Sequence, residues 1–328
     1  MKSKVVRFVA AAAVMLLACS AIAQAPRAPK AYRIGFVSPS SPGPTFDAFR
    51  QGLRELGYVE GRNVVIEARF AEGRPERLPV LVAEVIGLKV DVLVVGSAVG
   101  TLAAKRATTT VPIVFAGLID PVAQGVVTSL ARPEGNITGA TFGIGGEGFA
   151  GKWVALLKEA APDASHVAAL WNSTNPAGAT SVRDMQAAAR KLKVRLDILD
   201  AGNLGQLESA FAAIAASGAR GLIVSNDPFF LTHRARIVQF AASKRLPAMY
   251  FTRDFVDLGG LMSYGSNVAA SYRRAARYVD RILRGAKPAD LPVEQPTRFE
   301  LVINLQAARA LRLTFPPSLR VRADEVVD

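Results

Sequence analysis

Two histidines, one cysteine and scattered carboxylates are the residues from which this 328-residue chain could assemble chemistry. His166 reads as the start of a strand and His233 as a helix position; neither sits in an H-E-x-x-H pair or other local cluster that would hold a metal. Gly96-Ser97-Ala98-Val99-Gly100 places its serine one position too early for the G-x-S-x-G turn of a hydrolase, and no G-x-x-x-x-G-K-[ST] phosphate loop occurs. Gly143-Ile144-Gly145-Gly146-Glu147-Gly148 formally matches G-x-G-x-x-G. It lies between two structural arrays instead of in a first βα turn, however, and Glu147 would repel a pyrophosphate, so it reads as a glycine-rich crossover. No catalytic set, cofactor or metal is expected. A carboxylate pair assembled only in three dimensions leaves a secreted hydrolase as the remaining enzyme reading.

Residues suited to binding are easier to place, because polar groups in parallel α/β sheets gather where carboxyl ends of strands meet helix N-termini. Ser40 and Ser41 follow the first strand, as close-approaching hydroxyls or as a simple turn. Ser97 precedes a helix that starts at Ala98, so its hydroxyl and the free N–H groups beside it could hold a carboxylate or merely cap the helix. Asp120-Pro121 and Asp227-Pro228 both read as an N-cap followed by proline at the first helical position. Asp227 is the better counter-charge for a ligand ammonium. Asn172 and Asn226 offer amides, and Tyr264, with Trp171 as a second option, offers an aromatic wall.

These positions are set by an alternation of strands and helices. Apolar, β-branched runs predict strands near Arg33–Ser38, Val64–Phe70, Val90–Gly96, Val111–Phe115 and Ile137–Phe142. A second array follows near Val167–Trp171, Arg195–Leu199, Gly221–Ser225, Ala248–Phe251 and Leu261–Tyr264. Helices fill the gaps; one is expected from Asp120-Pro121 to about Arg132. A long helix over Asn267–Arg284 buries Tyr272, Ala275, Ala276 and Val279, and turns Arg273, Arg274, Arg277, Arg281 and Arg284 outward. The fold class is α/β: two doubly wound parallel-sheet lobes, with residues 32–142 and about 267–290 forming the first and residues 143–266 and about 291–328 the second.

Lys2, Lys4 and Arg7 before an apolar stretch from Phe8 to Ala18, with Ala21-Ile22-Ala23 after it, predict a secretory signal over residues 1–23. Leu16-Leu17-Ala18-Cys19 partly matches a lipoprotein box, with Cys19 as the acylated residue. Cleavage after Ala23 would remove the sole cysteine and with it all thiol chemistry. The formal charge of +13 raises the question of nucleic acid, but the cations are scattered and not interleaved with exposed aromatics, so a basic soluble surface is expected.

The Asp-Pro unit within Val111–Gly139, the turn Trp171-Asn172-Ser173-Thr174-Asn175-Pro176, the strand end Tyr264-Gly265, and the tail segments Tyr278–Gly285, Phe299–Leu305 and Arg322-Ala323-Asp324-Glu325 together resemble the substrate-binding proteins of one family of ABC transporters. The resemblance implies a type I periplasmic binding fold with a three-strand hinge, a small-molecule ligand between the lobes, and delivery to an ABC permease in the inner membrane. It also implies an amino-acid ligand, aromatic in the family members whose ligand is known. A monomeric periplasmic receptor is expected. A sensory protein of the same fold is the alternative.

Overall fold

The computed structural model describes residues 31–143, 148–175, 178–296 and 298–328. The expected leader with Cys19, most of the glycine-rich crossover and Pro176 lie outside the described residues.

The first lobe is built on five parallel strands: β1 (Tyr32–Ser38), β2 (Val64–Phe70), β3 (Val92–Val95), β4 (Ile113–Leu118) and β5 (Ile137–Thr141), in the spatial order β2-β1-β3-β4-β5. Strands β3, β4 and β5 are buried along their whole length, which is why β3 and β4 read as unbroken apolar runs, whereas β2 at the sheet edge is mostly half-buried. Helices α1 (Pro44–Glu55), α2 (Leu78–Gly87) and α3 (Ala98–Ala107) cover the sheet.

The second lobe contains α4 (Gly151–Ala160), β6 (His166–Trp171), α5 (Gly178–Leu192), β7 (Arg195–Asp200), α6 (Leu204–Ser217) and β8 (Gly221–Val224). It continues through α7 (Pro228–Thr232), α8 (Arg234–Ser243), β9 (Ala248–Tyr250) and β10 (Met262–Gly265). After α9 (Val268–Leu283) come β11 (Glu300–Asn304), α10 (Leu305–Ala310), α11 (Pro317–Arg322) and β12 (Glu325–Val327). Its seven strands run β12-β11-β10-β9-β8-β6-β7, all parallel except for the β10–β11 pair.

The chain passes between the sheets three times: after β5, between β10 and α9, and between Glu294, which bridges to Ala140, and the start of β11. Helix α9 returns to the first lobe, where Tyr272, Ala275, Ala276 and Val279 join Ile34, Phe36 and Phe49 in one core. Leu291 and Val293 also pack into the first lobe's cores. Tyr278 of α9 donates its hydroxyl proton to the Pro292 carbonyl, fastening the helix to the last crossing.

One element departs from the sequence expectation. Asp120-Pro121 starts a single turn, closed by Gln124 N–H to Asp120 O (3.0 Å), with no α-helix after it. Gly125 takes a φ of 70° and redirects the chain, after which Val126 and Val127 are buried in the first lobe. Burial of that β-branched pair offers more than a second turn of poor helix formers could. The strand before it ends in an irregularity between Ala116 and Leu118, where Gly117 has a φ of 75° and lies beneath the Phe142 ring.

Gly52 lets α1 and α9 approach: a Cβ there would stand 2.9 Å from the Ala276 Cβ and 3.2 Å from the Arg273 Cα. Gly52→Val should therefore lower stability by about 1–3 kcal/mol through overpacking, measured by urea denaturation.

Candidate functional site

In each sheet the winding direction reverses between two neighbouring parallel strands, β1 and β3 in the first lobe and β6 and β8 in the second. Gly96 N–H donates to Val37 O (3.0 Å) and Ser225 N–H to Leu170 O (3.1 Å), so each pair of strand ends is held side by side. Loops leaving such ends diverge to opposite faces of the sheet and open a crevice. A cavity of about 360 Å³ has walls drawn from both crevices.

From the first lobe, Pro39 and Ser40 after β1, Gly96 to Val99 after β3, Gly117 to Ile119 at the end of β4, and Gln124 beyond it contribute to its surface. Ser97 caps α3, its Oγ accepting from Gly100 N–H at 3.1 Å, and Thr101 donates its hydroxyl to Ser97 O at 2.6 Å. The first N–H groups of α3 thus begin at the wall, where the positive end of the helix dipole favours an anionic group. Tyr272, at the first turns of α9, closes this side, with its hydroxyl packed against Gly96, where no side chain would fit. Burial pushes the Tyr272 phenol above the ordinary tyrosine range.

From the second lobe come Asn172, Thr174 and Asn175 after β6, Gly202 after β7, Asn226 to Phe229 after β8, and Phe251 after β9. Asp227 is 3 % exposed and is the sole charged residue among the buried ones described. Its Oδ1 accepts from Phe229 N–H at 2.7 Å, capping α7, while Oδ2 accepts from Asn172 Nδ2 at 3.2 Å and Asn175 Nδ2 at 2.8 Å. Burial raises its pKa above the normal carboxylate range, and the donors from Asn175, Phe229 and Asn172 oppose that rise. Asn172 is itself fixed, because its Oδ1 accepts from Thr174 N–H (3.0 Å) and the Thr174 hydroxyl (2.7 Å).

Six of the residues singled out in the sequence, Ser40, Ser97, Ala98, Asn172, Asn226 and Asp227, thus meet around one cavity. Three lie elsewhere. Ser41 is exposed in its loop. Asp120 spends Oδ1 on Val122 N–H (3.2 Å) and Ala123 N–H (2.9 Å) of its own turn. Tyr264 stacks on Phe149 with centroids 5.4 Å apart, beneath Lys152, in the packing next to α4. Phe142, Phe229, Phe251 and Tyr272 are the aromatic residues on the wall instead. His166 pairs with Asp197 (2.6 Å) at the strand ends remote from the cavity. Gln124 and Tyr272 were not singled out as binding residues: Gln124 falls in the segment read as helix, and Tyr272 has the spacing of a core position.

A model of the ABC transporter substrate binding protein family matches residues 34–327. The chain belongs to this family. Its members are solute-binding proteins, not enzymes, and are usually extracellular or periplasmic. Among the described residues no helix of this binding protein is long and apolar enough to cross a membrane. The tyrosine-binding protein of Clostridioides difficile (strain R20291) is 22% identical over 272 residues, covering 82% of this chain and 77% of that protein. The structure of an ABC domain from Streptococcus pneumoniae in complex with L-Trp superimposes with a TM-score of 0.81 at 23% identity, covering 91% of this chain and 100% of the other. A conserved domain protein of Vibrio cholerae does so with a TM-score of 0.80 at 27% identity, over 90% of this chain and 100% of the other. These likenesses agree with two type I periplasmic binding lobes.

Gly202 is the position on which the Asp227 network leans, since a Cβ there would run into Asn172 Oδ1. Gly202→Ala should turn the Asn172 amide away from Thr174 and weaken its hold on Asp227. The expected loss is about 1–3 kcal/mol, from buried polar groups left unmatched, read by denaturation of the ligand-free protein.

Proposed function

We propose that this binding protein is the exported receptor of an ABC importer, capturing an amino acid, aromatic by preference, between its lobes and handing it to a membrane permease. Asp227 carries the reading: a buried carboxylate on a cavity wall whose hydrogen-bond donors are all neutral. Burying an ionised carboxylate is costly unless a charge of opposite sign joins it, and a ligand ammonium would do so. On the facing lobe, Ser40, the Ser97 hydroxyl and the first N–H groups of α3 would take the ligand carboxylate. The four wall aromatics and the side chains of Leu118 and Ile119 would enclose an apolar side chain.

Further support comes from the relatives, one named for tyrosine binding and one solved with L-Trp. The three passages of chain between the sheets would serve as the hinge, with the lobes closing over the solute. Gly73, after β2, faces the other lobe: a Cβ there would stand 3.6–3.7 Å from Thr232, His233 and Phe229. Export by the signal over residues 1–23, or tethering through Cys19, would place a monomeric receptor where solutes arrive.

A thermal-shift screen should show the melting temperature rising with L-tryptophan or L-tyrosine and unchanged with L-glutamate; no rise with any amino acid would defeat the proposal. Asp227→Asn should weaken binding by about 2–5 kcal/mol in titration calorimetry. Because the Asp227 pKa is raised, the carboxylate becomes protonated at a higher pH than an ordinary aspartate. Ammonium binding needs the ionised form, so affinity should fall as pH is lowered through that raised value, and Asp227→Asn should abolish this dependence.

A further inference from the structure

The cavity wall differs in charge from the rest of the molecule. The sequence holds 40 lysines and arginines against 27 acids, yet no lysine, arginine or histidine is among the residues described on the wall. Its charged groups are both acids: Asp227, buried, and Glu76, exposed at the rim. Gln124 adds a third acceptor, because its Oε1 is buried without a hydrogen-bond partner. On the donor side stand only hydroxyls, amides and the start of α3.

The two ends of a bound amino acid are therefore held unequally. A helix N-terminus and neutral donors change the affinity for an anion by roughly tenfold. Removing one partner from a buried charge pair changes affinity by about 30-fold or more. For a carboxylate-bearing ligand, the two wall acids further offset the first contribution by repulsion.

Resting on the reading of this cavity as the solute site, we infer that it selects primary amines with an apolar or aromatic body, the ammonium being required and the carboxylate dispensable. Asp227 holds the ammonium, the Gln124 carbonyl takes a further N–H, and Glu76 favours cations at the entrance. Decarboxylated aromatic amines are then ligands alongside the amino acids, and aromatic acids without an amine are excluded.

Titration calorimetry of the full chain at neutral pH with L-tryptophan, tryptamine and indole-3-propionate tests this. Tryptamine is expected to bind within about tenfold of L-tryptophan, and indole-3-propionate at least about 30-fold more weakly than tryptamine. Asp227→Asn, with its fold checked by circular dichroism, should lose tryptamine binding by a similar factor, and Gln124→Leu should weaken it less. If L-tryptophan binds and tryptamine does not, or if indole-3-propionate matches tryptamine, the inference is overturned while the amino-acid reading stands. Tryptamine binding without L-tryptophan would support the inference and overturn the amino-acid reading. Binding of none of the three overturns both.

Discussion

Parallel strands buried on both faces leave room for carboxylates and amides only at their ends, and this constraint organises the molecule. Strands β3, β4 and β8 carry no polar side chain and are sealed throughout, so Ser97, Gln124, Asn226 and Asp227 lie beyond their carboxyl ends. Applied in two lobes that exchange the chain three times, the same rule turns two sets of strand ends into one cavity. The packing of α9 supports this arrangement, since one helix contributes Val268 and Tyr272 to the cavity, Val279 to the first core and Tyr278 to the last crossing.

Much of this was legible in the sequence because it rests on local signals. Val64–Phe70 and Ile137–Phe142 read as strands from β-branched runs and fall within a residue of β2 and β5. Ser97 and Asp227 read as caps from their position alone, and both do cap. The helix expected after Asp120 failed for a physical reason: its N-cap signal is real, but Gly125 and the burial of Val126 and Val127 outweigh it. A local start signal does not determine how far an element runs once tertiary burial competes with propensity.

The rest was hidden because it depends on contacts between residues far apart in the chain. Tyr264 and Phe251 are alike in the sequence, each an aromatic near a strand end, yet Tyr264 turns to Phe149 while Phe251 lines the cavity. Nothing in the segment around Gly202 shows that it must be small so that Asn172, from the preceding strand's loop, can reach Asp227. The burial of Asp227 is likewise a property of the assembled loops, and that burial separates it from Asp120, which has the same Asp-Pro sequence and a half-buried position.

The separation of charge, basic over the chain as a whole and acidic at the cavity wall, also has a kinetic side. At distances beyond the mouth, a cationic solute meets the summed field of the basic exterior and is repelled; only within the cleft do Glu76 and Asp227 dominate. Ionic strength acts on these two ranges unequally, because screening at about 10 Å in 0.1 M salt removes the long-range repulsion and hardly reaches a buried carboxylate. For the proposed amine ligands, added salt should thus speed the encounter with the protein, the reverse of its usual effect on electrostatically steered capture, and leave their rate of escape nearly untouched.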